Sequence, residues 1–360
     1  MNFYAAYNIS FLALLTEAVY NKRMSEGPRI KKLGKIILLS AVMCSFLTGC
    51  KKKTESEEDG SQIILGFSQI GAESEWRIRN TESILEAAAQ NGIQIIYENA
   101  RQKQENQLQA IHSFIISQVD VIAFVPIVET GWDNVLQEAK DAGIPVIVVD
   151  RMIKTADKSL YAGLIGEDSF SEGKKAAEFL VKKYKTSKPD EPLNILEISG
   201  TENSSPAYER ARGFRSVIQK EPKFRIIHSE SGDFLRSKGH EIGNKIISFN
   251  SGLSIGQNPI DIIFSHNDAM TWGVLDALRE NNIHATTVTI VTIDGERKSI
   301  EALTYGAINC VVECNPNTGP KLCELVKLLH EGKPIPPVTY VDGEVFTEFD
   351  SFTKFAGKGF

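Results

Sequence analysis

The sequence predicts an α/β protein made of parallel sheets with helices on their faces. Two observations carry this reading. From Gln62 to His330, short apolar runs alternate with helical periodicity almost without a break, the pattern that repeated βα units produce. The run Ile144-Pro-Val-Ile-Val-Val149 is apolar throughout, as a strand covered by helices on both faces must be. A length of 360 residues suits about two domains, hence two sheets. A single (β/α)₈ barrel is the rival arrangement of the same alternation. A crossover-like stretch from Glu167 to Gly173 favours two lobes instead.

The first sixty residues stand outside this pattern. Arg29, Lys31, Lys32 and Lys35 precede the apolar run Ile36 to Leu47, a basic region followed by a hydrophobic stretch short for a membrane span. Leu47-Thr-Gly-Cys50 follows and resembles a bacterial lipobox, which predicts lipid on Cys50; an ordinary secretory signal or short anchor is the alternative. Lys51 to Gly60 is a polar, charged tether with nothing to bury. Met24 is the expected start, with residues 1–23 an upstream extension.

Taken in order, Ile63–Phe67 reads as a strand and Trp76–Gln90 as a helix closed by Asn91-Gly92. Ile93–Tyr97 is a strand, and Gln104–Ser117 has apolar residues at helical spacing. Val121–Val125 is a strand, Trp132–Asp141 a helix with Gly143 beyond it, and Val146–Val149 a strand. The second cycle reads Leu160–Ile165 extended, Phe170–Lys185 helix, Leu193–Ile198 strand, Tyr208–Gln219 helix and Phe224–Ser229 strand. Lys238–Phe249 is a helix, Ile260–Phe264 a strand, Ala269–Glu280 a helix and Val288–Ile293 a strand. Gly306–Val312 and Pro320–His330 add a strand and a helix.

Composition narrows the function. A formal net charge of −6 argues against a nucleic-acid binder, which shows a basic face. No phosphate-binding Gly-rich loop, Gly-x-Ser-x-Gly elbow, His-Glu-x-x-His or Cys-x-x-Cys pair occurs, so no metal centre or catalytic constellation is indicated. His266 has no base or nucleophile at motif spacing. Of five cysteines, Cys44 leaves with the signal and Cys50 takes lipid. Cys310, Cys314 and Cys323 form at most one disulfide or remain buried thiols.

Ligands of open α/β sheets bind outside the carboxyl ends of the strands, and those ends are polar here. Asp150 and Arg151 close the Ile144–Val149 run, pairing acceptors with a rigid fork of donors; a helix-capping Asp beside a surface Arg is the plainer reading. After the first strand come Glu73, Trp76 and Arg77. Trp76 could stack on a sugar ring or pack on the core, and the two charges could enter the crevice or stay solvated. Thr130 sits at an apparent N-cap. Ser205 and Arg210 follow the Leu193–Ile198 strand, Asn267 follows Ile260–Phe264, and Asp294 ends Val288–Ile293. Carboxylates, amides, guanidinium groups and an aromatic at strand ends in both halves match the donors and acceptors of sugar hydroxyls.

With these residues in view, the chain resembles the periplasmic sugar-binding proteins of ABC importers, the two-lobed ribose-binding type, and within it the galactofuranose-binding branch. The motifs are Gly66-Phe-Ser-Gln69, Glu73-Ser-Glu-Trp-Arg77, Gln102 to Gln107, Thr130-Gly-Trp132, Asp150-Arg151, Asp157 to Tyr161, Ser231-Gly-Asp-Phe234, Arg236-Ser-Lys-Gly239, His266-Asn-Asp268 and Asp294-Gly295. The resemblance implies a type I periplasmic binding fold with three crossovers, near Gly166, Cys314 and Asp342–Val345. It divides the chain into an extension and signal (1–50), a tether (51–61), an N-terminal lobe (62–166 plus 315–342) and a C-terminal lobe (167–314 plus 343–360). It implies sugar contacts from Glu73, Arg77, Asp150, Arg151, Arg210, Asn267 and Asp294, with Trp76 nearby and Ser205 a weaker candidate. Neither a cofactor nor a metal is implied. The partners are a monosaccharide and a membrane permease, or a sensor kinase or chemoreceptor in the alternative role. The chain would be a monomer held to the membrane by lipid, without enzymatic activity. Glu202-Asn203 and Cys314 depart from the pattern and leave the sugar open.

Overall fold

The computed structural model describes residues 62–187, 191–248 and 252–360. The signal, Cys50 and the tether lie outside the described residues, and the described residues from Gln62 to Phe360 fall in one compact unit. In chain order the elements begin β1 (Ile64–Gln69), α1 (Glu75–Gln90), β2 (Gln94–Asn99), α2 (Gln104–Ile116), β3 (Val121–Phe124), α3 (Asp133–Asp141), β4 (Val146–Val149) and β5 (Gly163–Gly166). Next come α4 (Ser169–Lys183), β6 (Leu193–Ser199), α5 (Ser205–Ile218), β7 (Phe224–Ser231), α6 (Arg236–Ile246), β8 (Ile247–Ser248), β9 (Gly252–Ile255) and β10 (Asn258–Pro259). The chain ends with β11 (Ile262–Ser265), α7 (Asp268–Glu280), β12 (Thr289–Asp294), α8 (Arg297–Ala302), β13 (Cys310–Glu313), α9 (Gly319–His330), β14 (Val338–Tyr340), β15 (Val345–Thr347) and α10 (Phe352–Phe355).

These strands build two six-stranded sheets, β14-β5-β4-β3-β1-β2 and β15-β13-β12-β11-β6-β7. The first is parallel throughout. In the second only β15 runs antiparallel, against β13. Two open sheets replace the barrel alternative.

Burial on both faces explains the unbroken apolar strands. On β4, Ile147 and Val149 pack with Leu65 and Phe67 on one side. Val146 and Val148 pack with Phe124 and Trp132 on the other. The second sheet repeats the device, with Ile263 and Ile290 facing one cluster and Ile262 and Val291 facing another. Each such side chain contributes roughly 1.5–3 kcal/mol by leaving water.

The chain crosses between sheets three times. It leaves the first after Gly166 to enter α4, which packs on β12 and β13. It returns after Glu313 into α9, which packs on α1 and β3. The last crossing joins β14 to β15. The backbone of Gly343 there comes so close that a Cβ would lie 2.2 Å from the Glu313 carbonyl oxygen.

Differences from the sequence reading have local causes. The strand expected from Gly306 starts at Cys310, because Leu303–Tyr305 form a 3₁₀ turn that ends on left-handed Gly306. Helix α5 starts at Ser205 rather than Tyr208, since Pro206 fits a first turn whose N–H groups have no intrahelical acceptor to lose. The antiparallel β8–β9–β10 ribbon, α8, β14, β15 and α10 were not expected; all are short and lack a periodic pattern.

Candidate functional site

The carboxyl ends of the strands from both sheets meet in one crevice. The β1–α1 connection carries Glu73, Trp76 and Arg77, and Ser74 caps α1 by accepting a hydrogen bond from the Arg77 N–H at 3.3 Å. Directly after β4, the Arg151 N–H donates to the Val149 carbonyl at 2.7 Å. This closes a three-residue turn with Asp150 at its centre, φ 64°, the rarer and strained γ-turn. Asp150 therefore caps no helix. Thr130 does not cap either: α3 begins at Asp133 with Trp132 as its cap residue, and Thr130 offers only its carbonyl, to Gln104.

The turn brings four charges into alternation. Arg77 Nη2 donates to Asp150 Oδ2 at 2.6 Å and to Glu73 Oε1 at 3.2 Å. Arg151 Nη2 donates to the same Glu73 oxygen at 2.6 Å. Both guanidinium groups are buried, yet Arg77 Nη1 and Arg151 Nε make no hydrogen bond, the latter standing 3.8 Å from Asp150 Oδ2. Burial works against the charge of Arg77, but Asp150 and Glu73 raise its pKa on balance. For Arg151 burial prevails over Glu73, with Arg77 repelling it as well, and its pKa falls. These are not solvated loop charges.

The second sheet supplies the facing wall. Arg210, in α5, donates through Nε to Glu172 at 2.8 Å and through Nη1 to the His266 carbonyl at 2.6 Å. Phe234 follows β7 with φ 60°, a costly conformation for a bulky residue. Its ring lies between Arg151 and Arg210, whose guanidinium carbons stand 5.4 and 5.8 Å from the centroid, within cation–π range. Asp294 is buried beside Asp268, whose N–H reaches its carboxylate at 3.4 Å. Burial and then the Asp268 charge push its pKa well up.

Glu73, Trp76, Arg77, Asp150, Arg151, Arg210, Asn267 and Asp294 thus line one space, together with Ser74, Pro206, Phe234 and Cys314. It measures about 20 Å³, room for about one water. Ser205 is the exception. Its hydroxyl accepts from the Met152 N–H at 2.7 Å and faces the adjoining hollow. Asn267 lines the space with its amide engaged, the oxygen capping α7 at Met270 and the nitrogen donating to Phe234. Trp76 is held too: it packs among Ile293, Val312 and Cys314 of the second sheet's core, so its ring does not stand free as a platform.

Sequence reasoning passed over Phe234 and Glu172 as site residues, whereas Cys314, noted there as a departure that bears on the sugar, does line the wall. Phe234 had a faint signal in Ser231-Gly-Asp-Phe234. Gly200 has a clear reason in the structure, since a Cβ there would lie 1.9 Å from the Phe234 ring. Cys310, Cys314 and Cys323 are all buried free thiols. His266 is buried against Glu197 at 3.3 Å, and burial depresses its pKa. Among the described residues no His, Cys, Asp and Glu group is placed to hold a metal, and no helix is long and apolar enough to cross a membrane.

Two sheets that meet at a crevice of fixed charges, joined by three crossings, define a protein of the two-lobed ligand-capturing class. The chain belongs to the periplasmic binding protein domain family, whose sequence profile matches residues 65–334. It is 39% identical over 272 residues to the galactofuranose-binding protein YtfQ of Escherichia coli K12, covering 75% of this chain and 83% of that one. A Mycobacterium smegmatis protein crystallised with β-D-fucofuranose is 40% identical, with a TM-score of 0.75 over 79% of this chain and 91% of that one. The periplasmic component of the arabinose ABC transporter of Shewanella sp. ANA-3, bound to α- and β-L-arabinofuranose, is 36% identical, with a TM-score of 0.75 over 81% and 94%. The first and third of these relatives are named as binding proteins, and this chain is a binding protein rather than an enzyme.

Proposed function

We propose that the chain captures a monosaccharide in its furanose form and delivers it to the permease of an ABC importer. The observation that carries this is the pair of buried guanidinium nitrogens that make no hydrogen bond, Arg77 Nη1 and Arg151 Nε. A buried donor without an acceptor costs about 1–3 kcal/mol, and a sugar hydroxyl supplies that acceptor. The neighbouring carboxylates of Glu73 and Asp150 accept hydrogen bonds from the hydroxyls, while Asp294, Arg210 and Asn267 complete the far wall. Furanose ligands on relatives of 36% and 40% identity support the ring form. The transporter naming of the 36% identical relative supports import over sensing.

The lobes that close on the sugar are 62–166 plus 315–342 and 167–314 plus 343–360. Because the space is about 20 Å³ as it stands, the lobes part to admit a sugar and close again around it. Outside the described residues, lipid on Cys50 holds the receptor on the extracytoplasmic face, the tether letting a monomer reach its permease. Cys50→Ser would release the chain from membranes or stall its processing.

Thermal shift and calorimetry with L-arabinose, D-galactose, D-fucose, D-ribose and D-fructose test the ligand. A cognate sugar at a hundred times its Kd stabilises by about 2.7 kcal/mol. A flat response to all five would overturn the proposal.

A further inference from the structure

Beside the closed space lies a hollow of about 340 Å³, within the range of roughly 300–1,000 Å³ of small-molecule sites. Asp150 is the residue common to both walls. Its side chain is 10% exposed, against 2% for Arg151 and 3% for Arg77, so Asp150 is where the inner ring of charges meets the outer hollow.

Both sheets contribute walls. Tyr340, at the end of edge strand β14, presents a ring that is 53% exposed. Glu209 and Arg212 come from α5, and Asp168 stands at the start of α4. Arg212 is held rigidly for a surface arginine: its guanidinium lies 4.2 Å over the Phe170 ring and donates to Glu209 through Nε at 2.9 Å. Ser205 and Met152, joined by their hydrogen bond, lie in the same wall and tie the two halves together there. The hollow thus combines an exposed aromatic face, carboxylate acceptors and a fixed fork of donors, the set that recognises sugar hydroxyls.

We infer that this hollow is a second sugar subsite, so that the protein takes furanosyl glycosides, with one ring held at Arg77 and Arg151 and a second on Tyr340. The inference rests on the sugar-site reading above and extends it to a larger ligand. Three carboxylates, Asp150, Asp168 and Glu209, line the hollow against one guanidinium, and burial keeps the neighbouring Glu167 protonated. The second unit is therefore a neutral sugar, since an anionic uronate or phosphate would meet like charge.

Calorimetry of the full chain with D-galactose, methyl β-D-galactofuranoside and the 1→5- and 1→6-linked galactofuranosyl disaccharides tests it. At least one disaccharide should bind tenfold or more tighter than the methyl glycoside. Tyr340→Ala should remove that gain and leave the methyl glycoside's affinity within about twofold. Glu209→Gln, at a half-buried side chain paired with Arg212, is the second variant and should lower disaccharide affinity alone. Binding of the methyl glycoside with no gain for either disaccharide, or a gain that survives both variants, would overturn the subsite alone. Binding of none of these compounds would remove the sugar-site reading and the subsite with it.

Discussion

The indole nitrogen of Trp76 donates a hydrogen bond to the carbonyl oxygen of Cys314 at 2.6 Å. One residue opens the first helix of the first sheet; the other follows β13 of the second, at a crossing between sheets. Trp76 is also buried in the second sheet's core, so it joins the two halves beside the site. Trp76→Phe keeps most of the apolar contact and deletes the donor. A net hydrogen bond is worth about 0.5–1.5 kcal/mol, so sugar affinity should fall roughly two- to tenfold through a less favoured closed form. Calorimetry alongside solution scattering checks this: affinity unchanged, with the same radius of gyration when saturated, would show that Trp76 has no part in closure.

Asp150 and Arg151 give a sharper test. Arg151→Ala removes charged hydrogen bonds worth about 1.5–3 kcal/mol each, which lowers affinity ten- to a hundredfold or more at about 1.4 kcal/mol per decade. Arg151→Lys recovers little, because a point charge cannot replace the planar fork that now reaches Glu73 and the Ile127 carbonyl. Asp150→Gly keeps the left-handed turn and deletes the carboxylate. Because it also strips buried Arg77 of its nearest carboxylate, it should lower Tm as well as sugar affinity. Wild-type titrations in all three variants would place the ligand elsewhere.

The alternation of strands and helices was legible because both faces of each sheet are covered, which makes β4 apolar without interruption and buries every residue of β12. Site residues were legible for a related reason: parallel strands all point their carboxyl ends at one edge, so polar groups just after strands converge. What did not show in the sequence depends on pairing across the crevice. Glu172 reads as a helix-surface carboxylate until α4 and α5 pack and set it on Arg210. Asn267 reads as a free amide, but its capping of α7 uses the oxygen. Ser205 sits one residue into a helix whose start was misjudged, and that turned its hydroxyl toward Met152.

Glu167 makes the fold sensitive to pH. It lies at the first crossing and accepts a hydrogen bond from the Asn315 N–H of the second at 3.2 Å. Burial, then Glu172, then the weaker effects of Asp150 and Glu313 push its pKa from 4.5 to about 9, the Asn315 N–H pulling the other way. A raised pKa means the folded state holds a proton that the unfolded chain releases. The stabilisation is complete below 4.5 and is lost as pH rises toward 9, with a slope of up to about 1.4 kcal/mol per pH unit. Asp268, pushed to about 7 by burial and Glu296, adds the same sign over a lower window. Glu197, held near 2 against burial by His266 and Arg215, acts oppositely and only as pH drops below 4.5. Tm should therefore decline from weakly acidic to alkaline pH. Glu167→Gln should flatten the upper part of that decline; an unchanged profile would mean the carboxyl is ionised in the fold.

Gly200 and Phe234 test whether the aromatic wall matters to the ligand rather than to folding alone. The ring reaches its place between Arg151 and Arg210 by crossing the Gly200 backbone, where a Cβ would sit 1.9 Å from its Cζ. Gly200 itself has no left-handed φ, so Gly200→Ala adds bulk without backbone strain there. Phe234 must then swing away, taking a cation–π partner from two buried guanidinium groups, each such contact worth about 0.5–2 kcal/mol. Phe234→Leu removes the same interaction without the clash. If the ring fixes Arg151 and Arg210 for the sugar, both variants lose affinity by roughly tenfold, the scale of 1.4 kcal/mol, and Phe234→Leu does so with the smaller fall in Tm. If Phe234→Leu binds as the parent does while Gly200→Ala does not, the ring is only filling, and the loss in the alanine variant comes from a displaced loop.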